Sequence, residues 1–120
     1  MESLVAGDLQ VEIVEQPNVF RCNWKGRSTA RRPSDELKPY FEKVLAAAAE
    51  QSRSVEMHFE ELGHFNSSTI GALIVVIQDA RRKKVKLSLV YDSKLKWQRL
   101  SFEALRMFEK SDGLFELRSV

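Results

Sequence analysis

Apolar and polar residues alternate along several stretches of the chain and recur at helical spacing in three others, and the two periods interleave. From Leu9 to Val14, Val11 and Ile13 share one face while Gln10 and Glu12 share the other. Gln16-Pro17-Asn18 supplies turn residues, and Val19 to Lys25 then sets Phe20, Cys22 and Trp24 against Arg21, Asn23 and Lys25. These two segments predict an antiparallel hairpin. After the polar connection 26–32, Pro33-Ser34 predicts a helix start with Ser34 as N-cap, Asp35 and Glu36 in its first turn and Pro39 close behind. The stripe Leu37, Phe41, Val44, Leu45 and Ala48 carries that helix to about Gln51. Val55 to Glu60 alternates again, Val55, Met57 and Phe59 against Glu56, His58 and Glu60. An apolar helix from Ile70 to about Ala80 follows the polar segment Asn66-Ser67-Ser68-Thr69, and Val85 to Tyr91 returns to strand alternation. A third helix over about 93–110, with Trp97, Leu100, Ala104, Leu105 and Phe108 as its apolar face, ends at Ser111-Asp112-Gly113. Leu114 to Leu117 reads as a last short strand.

The predicted order is β-β-α-β-α-β-α-β, an α/β fold in which each β-α-β unit crosses over right-handedly between parallel strands. Strands covered on both faces read as continuous apolar runs. These alternate instead, so the expectation is a mixed, mostly parallel sheet with helices mainly on one face.

At 120 residues the chain fits one domain spanning 1–120. A hydrophobic content of 43% and a charged content of 30% are those of a chain that builds a core without staples. A net charge of +2 lacks the basic excess of a duplex-binding domain, so no direct nucleic-acid role is expected. Cys22 is the lone cysteine, which excludes an internal disulfide and suits a reducing compartment. The residues from Met1 to Asp8 lack the basic flank and apolar core of a signal peptide. The apolar run from Ala72 to Ile77 is far below the ~20 residues of a membrane helix. A cytoplasmic protein without a membrane partner is expected.

Catalytic chemistry has few candidates. His58 stands between Glu56 and Glu60 on the polar strand face, where cross-strand pairing or solvation explains it. His64 lies near Ser67, and such a pair could activate a nucleophile for a small hydrolase. That reading lacks a carboxylate placed to orient the histidine and the Gly-x-Ser-x-Gly elbow. Two histidines and scattered acids give no zinc spacing, and no glycine-rich phosphate loop is present, so neither metal nor cofactor is expected. The run Arg81-Arg82-Lys83-Lys84 reads as a solvated helix end, favoured by the helix dipole, in preference to a nucleic-acid patch. Asn66 to Thr69 is the unusual segment. One cap needs one such residue, and here four stand at the start of an apolar helix. A phosphate on a hydroxyl at this place would meet free helix N–H groups and the positive end of the dipole. Cap with loop, or phospho-acceptor: the residues alone leave both open.

The strand Val55-Glu56-Met57-His58-Phe59, followed by Leu62-Gly63-His64-Phe65-Asn66-Ser67-Ser68-Thr69-Ile70-Gly71-Ala72-Leu73, resembles the STAS domain of anti-sigma factor antagonists. That family has a hydrophobic strand, a short Phe-containing loop and Asp-Ser-Ser-Gly-Leu-Gly opening an apolar helix. The specific part of the resemblance is residues 55–75, and the fold can be laid on about Leu9 to Leu117. The resemblance implies a non-enzymatic bacterial regulator of transcription in which Ser67 takes the place of the serine phosphorylated by a partner kinase. It implies a docking face of His64, Asn66, Ser67, Ser68, Thr69 and Ile70. The implied partners are a kinase-like ATPase acting as anti-sigma factor and a phosphatase that resets the switch, with the chain itself a monomer or weak homodimer. Asn66 stands where the family has Asp, and Thr69 where it has Gly. The Asn-Ser-Ser start also resembles STAS-like regulatory phosphoproteins that control diguanylate cyclases. A STAS-like scaffold that uses no phosphate is the alternative. Lys94-Leu95-Lys96-Trp97-Gln98-Arg99 offers a second contact surface as an alternative, but Leu95 and Phe102, which fall off the apolar stripe, are expected simply to pack on a neighbouring helix or loop.

Overall fold

A computed structural model describes all residues from Met1 to Val120. The strands are β1 (Leu4–Ala6), β2 (Leu9–Gln16), β3 (Val19–Ser28), β4 (Ser54–His58), β5 (Leu62–Phe65), β6 (Leu87–Tyr91) and β7 (Phe115–Ser119). The helices are α1 (Ser34–Gln51), α2 (Ser67–Arg82) and α3 (Lys96–Glu103), the last continued by a 3₁₀ segment, Ala104–Phe108. The strands form one seven-stranded sheet in the order β1-β2-β3-β4-β6-β7, with β5 extending the pairing of β3. β1, β2 and β3 are antiparallel, and β3-β4, β3-β5, β4-β6 and β6-β7 are parallel. The predicted mixed α/β fold is therefore present, with two strands added.

Both added strands are short. β1 pairs Leu4 with Val11 and Ala6 with Leu9, and its three residues are too few to show a period. β5 sits where Leu62-Gly63-His64-Phe65 reads as a loop, and only its pairing with the far end of β3 makes it a strand.

The helices cover the face that carries Phe20, Cys22 and Trp24 of β3. Trp24 stacks on Phe41 of α1 at 5.7 Å and meets Phe59 at 4.9 Å; Phe59 meets Phe102 of α3 at 4.6 Å, and Phe102 stacks on Tyr91 of β6 at 5.4 Å. This aromatic row ties all three layers of side chains into one core of 28 buried residues. Cys22 lies inside it, and burial pushes its thiol up to about 12, which leaves it unreactive at neutral pH. The other face carries ion pairs instead of a helix: Lys25 reaches Glu12 and Glu61, and Arg118 reaches Glu56. His58 belongs to this lattice, 2.6 Å from Glu56 and 3.2 Å from Glu60, so it is neither solvated nor paired across strands as expected but buried between its own sequence neighbours.

Two details of the helices differ from the sequence pattern. α1 begins at Ser34 after Pro33 with no side-chain cap, and Pro39 falls in its second turn. Pro39 is exposed, so water reaches the carbonyl it leaves without a helix partner. The third helix ends at Glu103, and its buried stripe, Gln98 and Phe102, is continued by Leu105 of the 3₁₀ segment. Phe102, off the expected stripe, is fully buried, whereas Leu100, on it, is 61% exposed. A polar residue, Gln98, leads the inward stripe, and that hid the true face from a hydrophobic pattern.

Candidate functional site

The candidate site forms where β3 and β5 run out together. Gly26 lies at φ +83, and a Cβ there would come within 2.0 Å of the Asp8 carbonyl oxygen. Only glycine allows that approach, which is followed at once by a bulge between Gly26 and Arg27. Beyond it Arg27 pairs with His64 and Ser28 with Phe65. The ladder runs one step further, the Asn66 N–H donating to the Ser28 carbonyl at 3.1 Å, and α2 then begins.

Asn66 is the N-cap. Its Oδ1 accepts from the Thr69 N–H at 3.0 Å and from the Thr69 hydroxyl at 2.8 Å. Its Nδ2 donates to the Ala30 carbonyl at 2.9 Å. With the Thr69 hydroxyl donating to Asn66, the Ser28 hydroxyl donates in turn to Thr69 Oγ1 at 2.7 Å. Thr69 is fully buried and Ser28 nearly so. Asn66, Thr69 and Ser28 thus act as one polar clamp fixing the start of α2 to the end of β3.

The clamp needs both side chains. A carboxylate at position 66 has no N–H to give Ala30, and a glycine at 69 has no hydroxyl to close the chain to Ser28. Thr69→Val, which keeps the shape and deletes the hydroxyl, leaves Ser28 buried without its partner and is expected to cost about 1–3 kcal/mol. Urea denaturation of the two proteins measures the difference.

The clamp also sorts the predicted site residues. Thr69, expected on the docking face, is turned wholly inward. Asn66 and Ile70 are half-buried, and Ile70 packs against the core. Ser67, Ser68 and His64 are exposed. Of the hydroxyls here, those of Ser28 and Thr69 bond inside the protein, and those of Ser67 and Ser68 stand in the first turn of α2, which has no acidic residue. His64 leans on Trp97 of α3, with ring centroids 6.0 Å apart, while Phe65 meets the same indole edge-on at 5.3 Å. His64 shares no hydrogen bond with Ser67 and none with a carboxylate, so the elements of a serine–histidine nucleophile are not assembled.

No family model matches the chain, and no curated protein matches it. Among solved structures it is similar to the anti-sigma factor antagonist SpoIIAA in its unphosphorylated form. The identity is 16%, the TM-score is 0.49, and the match covers 68% of this chain and 71% of that one.

The site's surroundings hold two residues that the sequence pattern passed over. Ser28 lies beyond the predicted end of its strand at Lys25. Gln98 is fully buried beneath β5, with Nε2 donating to the carbonyls of Phe59 at 2.6 Å and Leu62 at 3.2 Å and Oε1 accepting from the Asp92 N–H at 2.8 Å. It fixes the two ends of the β4–β5 connection, and thereby the approach to His64 and Asn66. No group of three or more His, Cys, Asp or Glu is placed to hold a metal ion, and no helix is long and apolar enough to cross a membrane.

Proposed function

We propose that this protein is a regulatory binding module whose contact with a partner is switched by phosphorylation of Ser67. One observation carries the reading: the helix start presents Ser67 and Ser68 outward while its side-chain cap is Asn66, held in place by Thr69 and Ser28. The exposed hydroxyls are therefore surplus to the fold. A phosphate on Ser67 adds about 1.5 to 2 negative charges at the positive end of α2, next to free helix N–H groups. It would settle there without disturbing the clamp, and it would change the charge of the surface formed by His64, Ser67, Ser68 and the exposed edge of Ile70. The sequence resemblance to STAS domains supports the same residue and suggests a kinase-like ATPase with anti-sigma activity as the partner, reset by a phosphatase, in a bacterial cytoplasm. The protein would then carry no catalysis of its own.

The switching step is tested with two baits, Ser67→Ala and Ser67→Glu, each presented to an extract of the native cells. A protein retained by the alanine form and released by the glutamate form is the expected result. Identical sets of bound proteins would leave a constitutive adaptor as the better reading.

A further inference from the structure

At the other end of α2, about 24 Å from Ser67 for a helix of 16 residues, a cleft of about 440 Å³ opens between the C-termini of α1 and α2. Its lining includes Arg53, Lys83, Lys84 and Lys86 and no acidic residue. We infer that this cleft binds the phosphate group of a small phosphorylated ligand, independently of the Ser67 switch.

Three features converge on it. The first is charge. Arg53, Lys83 and Lys86 each have a carboxylate neighbour, Glu15, Asp79 and Glu116 respectively, but these acids lie outside the cleft, and Lys84 has none. The second is Arg53, whose guanidinium lies over the Phe20 ring and whose buried Nη1 has only a long ion pair, 3.6 Å to Glu15, and no hydrogen bond. Buried donors of charged groups are seldom left unpaired. The third is backbone conformation. Ser52 at φ 54 and Lys84 at φ 58 are the non-glycine residues of the chain with positive φ, and both line this cleft.

Both occupy the position after a helix where glycine is the unstrained choice. Arg53 N–H reaches the Ala48 carbonyl and Val85 N–H the Ala80 carbonyl, both at 2.9 Å, closing the two helices in the same way. The Ser52 and Lys84 N–H groups take up the Ala49 and Arg81 carbonyls as well. These bonds satisfy carbonyls at the two helix ends, and an anion there is held by side-chain charge against the negative ends of both helix dipoles. The run at 81–84 is thus divided by the fold: Arg81 is spent on Asp112 and the Phe108 carbonyl, Arg82 and Lys83 both reach Asp79, and Lys84 is the one left without a carboxylate, at the cleft.

The test is a titration of ¹⁵N-labelled protein with inorganic pyrophosphate at low salt, repeated on Lys84→Gly and Lys84→Arg. Saturable shifts gathered at Ser52–Ser54 and Lys83–Lys86 are expected. Lys84→Gly should weaken binding roughly tenfold, as loss of one charge-assisted contact does, and Lys84→Arg should restore it. The glycine variant relieves backbone strain, so its melting temperature should not fall and misfolding cannot explain the loss. Competition by a nucleoside triphosphate identifies a soluble ligand, and competition by phosphatidylglycerol vesicles alone identifies a lipid headgroup. The inference is overturned if no saturable shift develops, if the shifts spread equally to Lys94 and Lys96, or if Lys84→Gly binds as well as the parent.

Discussion

Phe102→Ala is expected to cost about 3–5 kcal/mol, the usual range for emptying a buried aromatic site. A domain of this size has about 5–15 kcal/mol in total, so the variant should retain little margin at 37 °C. Phe102 is fully buried and is the ring through which α3 joins the core, in contact with Phe59, Phe65 and Tyr91 at centroid distances of 4.6, 5.3 and 5.4 Å. Leu100, two residues away and 61% exposed, provides the control. Leu100→Ala should stay within about 0.5 kcal/mol of the parent. Urea midpoints of the three proteins decide the matter. Equal costs at the two positions would mean that α3 is rotated, with Leu100 on its inner face.

Gln98→Met should cost about 2–4 kcal/mol although it conserves volume, since it removes three hydrogen bonds from a buried site at once. Methionine fills the space and has no N–H for the Phe59 and Leu62 carbonyls and no strong acceptor for Asp92. The Phe59 carbonyl keeps the Leu62 N–H as a partner, which limits the loss. The effect should also reach beyond stability. Amide hydrogen exchange should quicken at Leu62–Phe65, because Gln98 anchors that segment. A loss of stability with unchanged exchange there would show that Gln98 only fills space.

The two residues also explain how far the fold can be read from the chain. Strand alternation in Val55–Glu60 and Val85–Tyr91 and the stripe of α1 are strong periods, and each marks an element present in the structure. β1 and β5, at three and four residues, are defined by pairing partners distant in sequence, which no local period reports. The inner face of α3 escapes a hydrophobic pattern because its most deeply buried turn begins with a glutamine, and apolar periodicity assigns glutamine to solvent. At the candidate site, the four polar residues at 66–69 were visible as an excess over what one cap requires. Their division into an inward pair and an outward pair was not, because it depends on Ser28, about 40 residues away in sequence and brought there by the β3–β5 pairing. The same geometry makes Asn66 and Thr69 matched halves of a clamp.

The proposed phosphorylation of Ser67 is read directly by intact-mass spectrometry of the protein from its native cells. A species heavier by about 80 Da, one phosphoryl group, is expected under some conditions of growth or stress, and it should disappear in Ser67→Ala. Mass unchanged across those conditions, or a phosphate that persists in Ser67→Ala, would contradict the proposal.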